Sequence, residues 1–251
     1  MRADLSDDHH PVQRRAPSGQ TYARIAGVLF LLTILAGGFG EYYVPSKLIV
    51  ATDAAATAKN IIASDSLFRL GFLAYLVEAL CDTGLTLVLY VLLRPVSRNL
   101  ALLAVLFRLL STALFAVAEM FYLAPSLILG GSNSLKTFSS DQLSSLALLS
   151  FNLYGYGAGI FMVFYGVASI LLGYLMFRSG FLPRFVGALL AVGGFGFVIN
   201  NIAVVLAPAY NASGFLLPMM IAVLAMTLWF LVRGVDVPKW EAKAASSEVN
   251  V

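Results

Sequence analysis

The sequence predicts an all-α, polytopic transmembrane helix bundle with six spans and both termini in the cytoplasm. Composition is the first reason: 60% of the 251 residues are apolar and 12% are charged, whereas about 25% of a typical soluble domain is charged. Length is the second reason. Six segments with few charges exceed about 18 residues, which is enough to cross a hydrocarbon core about 30 Å thick.

The six predicted spans are joined by short connections. They cover residues 21–44, a segment from a cap at Ser64 or Ser66 to the Arg94-Pro95 turn, and residues 99–129, 142–177, 183–206 and 215–232. Because proline has no N–H to donate, we expect Pro125 to bend or end the third span and Pro218 to interrupt the sixth. The long polar region before the first span favours a retained helix over a cleaved signal peptide.

Three regions make up the predicted domain organisation. Residues 1–20 are polar and are expected to form a disordered cytoplasmic tail, residues 21–233 the transmembrane domain, and residues 234–251 a second cytoplasmic tail. In the first outer loop, residues 53–64 predict a short amphipathic helix that Asp53 caps and that lies on the membrane surface. Its apolar face is expected to hold Ala54, Ala58, Ile61 and Ile62.

Basic residues cluster at alternate ends of the predicted spans. The rich ends carry Arg14, Arg15 and Arg24; Arg94 and Arg98; Arg178 and Arg184; and Arg233, Lys239 and Lys243. The opposite loops hold only Lys47, Lys59 and Lys136. By the positive-inside rule, both termini are cytoplasmic. We expect a multi-pass protein of the bacterial inner (plasma) membrane, with the lipid bilayer as its constant partner.

Polar side chains follow one stripe on each of the second and third spans. At about 100° per residue, the two stripes comprise Gly71, Tyr75, Glu78, Asp82 and Thr86, and Arg108, Thr112, Glu119, Tyr122 and Ser126. The two spans are joined by a short turn, so they are predicted to be antiparallel neighbours. Asp82 and Arg108 both lie about 15–18 Å from the same membrane face, which predicts an ion pair.

Further polar residues extend this predicted interior. Glu41, Glu78, Glu119 and Asn200 could line an outward-facing polar cavity with Arg69 near its rim. The alternatives are interfacial solvation for Glu41 and Glu119 and interhelical hydrogen bonding for Asn200. The Asp82–Arg108 pair is either a structural ion pair or part of a proton or substrate site.

The cysteine and histidine content excludes several chemistries. Cys81 is the only cysteine, and the only histidines, His9 and His10, lie in the polar N-terminal tail. A haem held by two histidines, a His-ligated zinc centre, a CxxC redox pair and a Ser-His-Asp triad within the membrane are excluded. We therefore predict no catalytic residue, metal site or cofactor. Nucleic acid is not an expected partner, because no basic patch is interleaved with exposed aromatic residues.

Small residues mark a packing face on the fourth span. Gly159, Gly166 and Gly173 recur at seven-residue intervals, and Gly155 forms a small-xxx-small pair with Gly159. Glycines with this spacing allow a neighbouring helix to approach closely. We expect this face to pack against another span.

Several segments resemble a known family. They are SKLIV…DAAATAKNIIASDSLFRLGF, ALCD, LYVLLRPVSRNLALLAVLFRLL and LLGYLMFRSGFLPRFVGALL. Together they are similar to DUF4386, a family of uncharacterised bacterial membrane proteins, over most of residues 20–210. The resemblance implies a six-helix integral membrane protein and brings no established activity or ligand.

Three function classes fit these observations. A non-catalytic binding or structural membrane component with a polar interior fits best, with a small molecule as its potential ligand. A small-solute or proton-coupled carrier using Glu78, Asp82 and Arg108 is the alternative. Carriers usually pair broken helices between their halves, and Pro125 and Pro218 are not in matching positions. An enzyme fits least, because the sequence contains no nucleophile–base set. No signal in the sequence specifies an oligomeric state.

Overall fold

The computed structural model describes residues 18–131, 133–206 and 213–248. Three regions named in the sequence predictions lie outside these ranges. They are residues 1–17 of the expected disordered tail, residues 207–212 of an outer loop, and the last three residues of the expected C-terminal tail. In the described part, the helices are α1 (Gly19–Gly37), a π-helical segment (Gly38–Tyr43), α2 (Val44–Leu48), α3 (Ala54–Ala63), α4 (Asp65–Leu93), α5 (Arg98–Leu129), α6 (Ser140–Ser179), α7 (Arg184–Leu206), α8 (Leu217–Val232) and α9 (Val237–Glu248). Short 3₁₀ turns occur at Asn133–Leu135 and Ser213–Leu216.

Six of these helices form a closed ring. Helices α1, α4, α5, α6, α7 and α8 each pack against the next helix in the chain, and α8 returns to pack against α1. Because the connections are short, neighbouring helices run in opposite directions. The ring confirms the predicted all-α polytopic bundle.

The first five spans and the sixth differ in length. Five stretches are long and apolar enough to cross a membrane: Gly19–Leu48, Asp65–Leu93, Arg98–Leu129, Ser140–Ser179 and Arg184–Val204. Helix α8 has 16 residues and extends about 24 Å, to which the preceding 3₁₀ turn adds about 8 Å. The two together are about as long as the ~30 Å hydrocarbon core is thick. Taken with α9, to which it is bent by 100°, α8 is the candidate for a sixth span.

Pro218 does not interrupt the sixth span as the sequence predicted, and Pro125 does not end the third, which is one of the two effects predicted for it. Pro218 lies in the first turn of α8 and does not interrupt it, because an N–H is not needed at that position. Pro125 does not end α5, which continues to Leu129. Within residues 234–251, the expected cytoplasmic tail, Val237–Glu248 form α9, which turns away from α8 by 100°.

One end of the ring, here called the basic end, carries Arg24, Arg94, Arg178 and Arg233. There the Arg24 guanidinium donates hydrogen bonds to the carbonyl oxygens of Phe230, Leu231 and Val232. These carbonyls belong to the last turn of α8, which has no intrahelical donors for them. The indole N–H of Trp240 on α9 donates to the Leu92 carbonyl at 3.1 Å. The first contact holds α8 against α1 at this end, and the second holds α9 against α4.

Helix α3 lies at the opposite end, here called the distal end. Asp53 caps it as predicted, with its carboxylate accepting a hydrogen bond from the Ala56 N–H at 2.8 Å. Ala58 and Ile61 are buried, but Ile62 is 62% exposed. The predicted apolar face was therefore wrong at Ile62, because the buried face rotates toward Thr57, and α3 packs on α5 and α6.

The glycine face of α6 packs against α7. A Cβ at Gly166 would lie 2.8 Å from the Gly194 carbonyl oxygen, and one at Gly173 would lie 2.5 Å from that of Gly187. At Gly159 the nearest atom is 3.8 Å away, and at Gly155 nothing lies within 4 Å. The predicted packing face is therefore confirmed at Gly166 and Gly173, whereas Gly155 faces away from any neighbour.

We expect the basic end to face the cytoplasm, and reporter fusions test this orientation. Fusions after Arg94 and Arg178 should report the cytoplasmic side, and fusions after Leu48 and Gly130 the opposite side, because Lys and Arg flanks are retained inside. Alkaline phosphatase and green fluorescent protein give complementary readouts. A reversed result at Arg94 or Arg178 would contradict the orientation.

Candidate functional site

The expected ion pair lies between α4 and α5. The Arg108 guanidinium donates to an Asp82 carboxylate oxygen through one NH2 group, and its Nε–H donates to the Thr86 hydroxyl at 2.9 Å. The second Asp82 oxygen accepts from the Thr112 hydroxyl at 2.8 Å. Both charges are buried, with Arg108 2% and Asp82 8% exposed. Asp82 therefore neutralises Arg108, and the hydroxyls of Thr86 and Thr112 form further hydrogen bonds with the two charged groups.

Two aromatic side chains also lie against the Arg108 guanidinium. The Arg108 carbon Cζ lies 5.0 Å from the ring centroid of Tyr165 on α6 and 5.9 Å from that of Phe30 on α1. A cation over an aromatic face is attracted by the ring quadrupole. Arg108 thus connects α1, α4, α5 and α6, and its charge is fully engaged.

Beside the ion pair is a cavity of about 310 Å³ to which all six ring helices contribute. Its polar lining consists of Glu41, Glu78, Asp82, Ser111, Thr112 and Thr33. The remaining lining is mainly apolar, with the aromatic residues Phe30, Phe115, Phe161, Tyr165 and Phe197 and the methionines Met162, Met219 and Met220. An apolar cavity with a few convergent polar groups is the usual form of a small-molecule site.

The cavity opens between α1 and α8 in the distal half of the bundle. Toward the basic end these helices are in tight contact, since a Cβ at Gly27 would lie 2.9 Å from the Leu231 side chain. Beyond Phe30 both helices line the cavity, and the lining there includes the exposed residues Glu41, Met220 and Leu224. The opening therefore extends from the lipid-facing side of the bundle toward the distal end.

Glu41 reaches the cavity from the π-helical segment. This segment follows Gly37, and both Gly37 and Gly38 line the cavity. A π-helical turn inserts an extra residue and so rotates the following side chains, and such turns are frequent at functional sites. It turns Glu41 toward the cavity.

Glu78 lies one helical turn from Asp82 on α4. Its Oε2 atom is buried and has no hydrogen-bond partner among the described residues. A Cβ at Gly37 would lie 3.0 Å from this atom, so the glycine makes room for the carboxyl group. An ionised carboxylate in an apolar interior is costly unless it is paired. Glu78 therefore requires a proton or a cation.

Glu119 lies outside this cavity. It is 11 residues from Arg108 along α5, which places it about 16 Å further toward the distal end. It borders a second pocket of about 150 Å³, and it is 3% exposed with both carboxylate oxygens unpartnered among the described residues. Around it, aromatic rings pack edge to face or stacked, among them Tyr75, Tyr122 and Tyr154. The Tyr154 hydroxyl donates to that of Tyr75 at 3.1 Å.

The other predicted site residues also lie apart from the cavity. Asn200 is buried but is not among the lining residues. Arg69 is exposed and pairs with Asp65 at 2.7 Å, away from any rim. The structure thus brings together Glu41, Glu78 and Asp82 with Arg108 beside them, and leaves Glu119, Asn200 and Arg69 elsewhere. Within the described ranges, no group of three or more His, Cys, Asp or Glu residues could hold a metal ion.

These features define the class of protein: a six-helix integral membrane bundle with a partly open, mainly apolar internal cavity that contains a few polar groups. A family model, Domain of unknown function (DUF4386), matches residues 25–234. The chain belongs to this family, as its sequence segments predicted.

A relative of uncharacterised function shares part of the sequence. The chain is similar to an uncharacterized protein of Archaeoglobus fulgidus, with 30% identity over 119 residues. The matched region is 47% of this chain and 57% of that protein, so the chain spans little more than half of the relative's length. No solved structure matches the chain.

Proposed function

We propose that this protein is a non-catalytic component of the bacterial plasma membrane that binds a small molecule within its ring of helices. The observation that carries the proposal is the cavity of about 310 Å³, to which all six ring helices contribute and in which the Glu78 carboxyl group has an unpartnered oxygen. A volume of this size lies at the lower end of the range for small-ligand sites.

The distribution of polar groups supports binding over catalysis. Asp82 and Arg108 satisfy each other, and Thr86 and Thr112 complete their hydrogen bonds. No described nucleophile lies next to a histidine or lysine base, which covalent catalysis would need. What remains for a ligand is a largely apolar wall and the carboxyl groups of Glu41 and Glu78.

A carrier is the second candidate, favoured by the position of Glu78. This carboxyl group lies one turn from the Asp82–Arg108 pair and borders a cavity that is open on one side. A titrating acid beside a buried ion pair is a feature of proton-coupled carriers. Transport would require the cavity to open alternately to both membrane faces. Flux into proteoliposomes distinguishes a carrier from a binding protein, because only a carrier equilibrates its ligand across the membrane.

Filling the cavity tests the proposed binding. Val223 lines the cavity from α8, whereas Leu228 on the same helix is 62% exposed and does not line it. Native mass spectrometry of the protein in lipid nanodiscs should detect small-molecule adducts, or ligands found by a thermal-shift screen, in the wild type and in Leu228→Trp. Val223→Trp should lose them, because the indole occupies the cavity. Equal ligand occupancy in both variants would contradict the proposal.

A further inference from the structure

We infer that the cavity selects an organic cation with an apolar body, which binds in exchange for a proton held by Glu78. This inference rests on the proposed binding function and names its ligand class. It is carried by the charge distribution around the cavity, the composition of its walls and the place where it opens.

The charges near the cavity are unbalanced. Among the described residues, the acids at or near it are Glu41, Glu78, Asp82 and, further along α5, Glu119, and Arg108 is the only buried cation. Arg108 is already bound to Asp82 and Thr86 and lies against two aromatic rings. An anionic ligand would therefore find no free positive charge, while a cation would find two carboxyl groups without a partner cation.

The walls of the cavity favour an organic cation over a metal ion. Five aromatic residues line the cavity, and the described residues contain no cluster that could hold a metal. Quaternary ammonium groups are bound by the faces of aromatic rings, and this attraction is stronger when water is excluded. A proton alone would neutralise Glu78 but would leave the aromatic space unfilled.

Proton exchange follows from the position of Glu78. In the empty cavity its carboxyl group holds a proton, since its buried Oε2 has no hydrogen-bond partner among the described residues. When the cation arrives, the O–H bond breaks, the proton leaves to water, and the carboxylate pairs with the ammonium group. Several titratable or charged groups lie around Glu78. Those on its own helix are Cys81 and Asp82, and those on neighbouring elements are Glu41, Arg108, Glu119, Tyr154 and Tyr165. In the part of α7 and α8 that the structure describes, no titratable residue lines the cavity.

The opening between α1 and α8 indicates how such a cation enters. Glu41 lies at this opening, about 24–26 Å from Arg24 along α1 and the π-helical segment that follows it, close to the expected membrane interface. Two sources share the required chemistry: the ammonium group of a lipid headgroup and a free organic cation from water. Both approach the bilayer at this depth.

Three probes of nearly identical shape test the charge selectivity. They are benzyltrimethylammonium, its neutral carbon analogue neopentylbenzene, and the anion benzylsulfonate, titrated into the protein in phosphatidylglycerol nanodiscs with empty nanodiscs subtracted. The cation should bind at least about tenfold more tightly than the neutral analogue, and the anion most weakly. Equal affinity for cation and neutral analogue would overturn the cation assignment while leaving ligand binding intact. If none binds and Val223→Trp retains all of the native adducts, the proposed function fails as well.

Variants and pH test the exchange at Glu78. Because the proton competes with the cation, affinity should rise with pH by up to about tenfold per unit. Glu78→Gln should remove both this pH dependence and the preference for the cation, whereas Asp65→Asn, an exposed carboxyl on the same helix, should retain both. A pH dependence that persists in Glu78→Gln would overturn the role of Glu78. Should Glu78→Gln not fold, calorimetry of the wild type in buffers of different ionisation enthalpy measures proton release directly, and no release would overturn the exchange.

Nanodisc composition separates the two sources of the cation. Phosphatidylcholine carries the same trimethylammonium group in its headgroup. The comparison uses nanodiscs of an uncharged glycolipid, so that the surface charge is the same in both. Weaker binding of benzyltrimethylammonium in phosphatidylcholine nanodiscs than in glycolipid nanodiscs would assign the site to a lipid headgroup, and equal binding would assign it to a free organic cation.

Discussion

Asp82→Asn should lower the free energy of unfolding by about 3–5 kcal/mol, because it leaves the Arg108 guanidinium buried without a counter-ion. Arg108→Gln should cost less. A lone Asp82 carboxyl can take up a proton, whereas a guanidinium remains charged at any accessible pH. The double variant should recover much of the loss, since both charges are gone. Unfolding by titration with sodium dodecyl sulfate, after purification in mild detergent, measures all three.

The exposed Arg69–Asp65 pair supplies the matched control. It has an N–O distance of 2.7 Å, but its side chains are 59% and 47% exposed. Such a pair is worth about 0–1 kcal/mol, so Arg69→Gln and Asp65→Asn should have small effects with little coupling. If the loss in the Asp82/Arg108 double variant equals the sum of its singles, the two residues are not energetically paired.

Gly173→Ala should destabilise the protein by about 2–3 kcal/mol, because the added methyl group meets backbone atoms of α7. Its Cβ would lie 2.5 Å from the Gly187 carbonyl oxygen and 2.6 Å from the Ala191 nitrogen. Backbone atoms cannot rotate away as a side chain can, so α6 and α7 must separate. The same detergent unfolding titration measures the loss.

Gly155→Ala is the control within the same helix. Nothing lies within 4 Å of its Cβ position, and alanine favours a helix over glycine by about 1 kcal/mol. This variant should be neutral or slightly more stable than the wild type. Gly180 would be a poor control, because its φ of 77° strains any larger residue. Equal losses at Gly155 and Gly173 would mean that helix packing does not explain the glycine face.

The charged half of the site could be predicted because charges are rare in apolar helices. Glu78, Asp82 and Arg108 stand out in their spans, and helical spacing places them on inward stripes. Pairing Asp82 with Arg108 then needs only the depth of each residue and the short turn between the spans. Depth along the first span also predicted that Glu41 could line a cavity, and Glu41 does line it. Helical spacing alone could not show which way this side chain points, because the π-helical segment changes the helical register without a periodic signal.

The apolar half of the site was not predictable in this way. Phe161, Tyr165 and Phe197 line the cavity, while apolar residues such as Phe195 on α7 are 56% exposed on the outside of the bundle. Lipid tails are as apolar as a protein interior, so hydrophobic periodicity does not separate the two faces of a transmembrane helix. For α9, the polar composition concealed a helix whose position depends on the contact of Trp240 with Leu92.

Charge-selective labelling of a cysteine in the cavity tests the central claim, an accessible cavity that favours cations. Thr33 lines the cavity, whereas Leu35 on the same helix is 60% exposed and does not line it. In a Cys81→Ser background, Thr33→Cys should react with a trimethylammonium methanethiosulfonate at least about tenfold faster than with its sulfonate counterpart, after correction for their rates with a free thiol. Leu35→Cys should show no such preference. Equal corrected rates at Thr33→Cys, or no reaction there with either reagent, would contradict a cation-selective cavity.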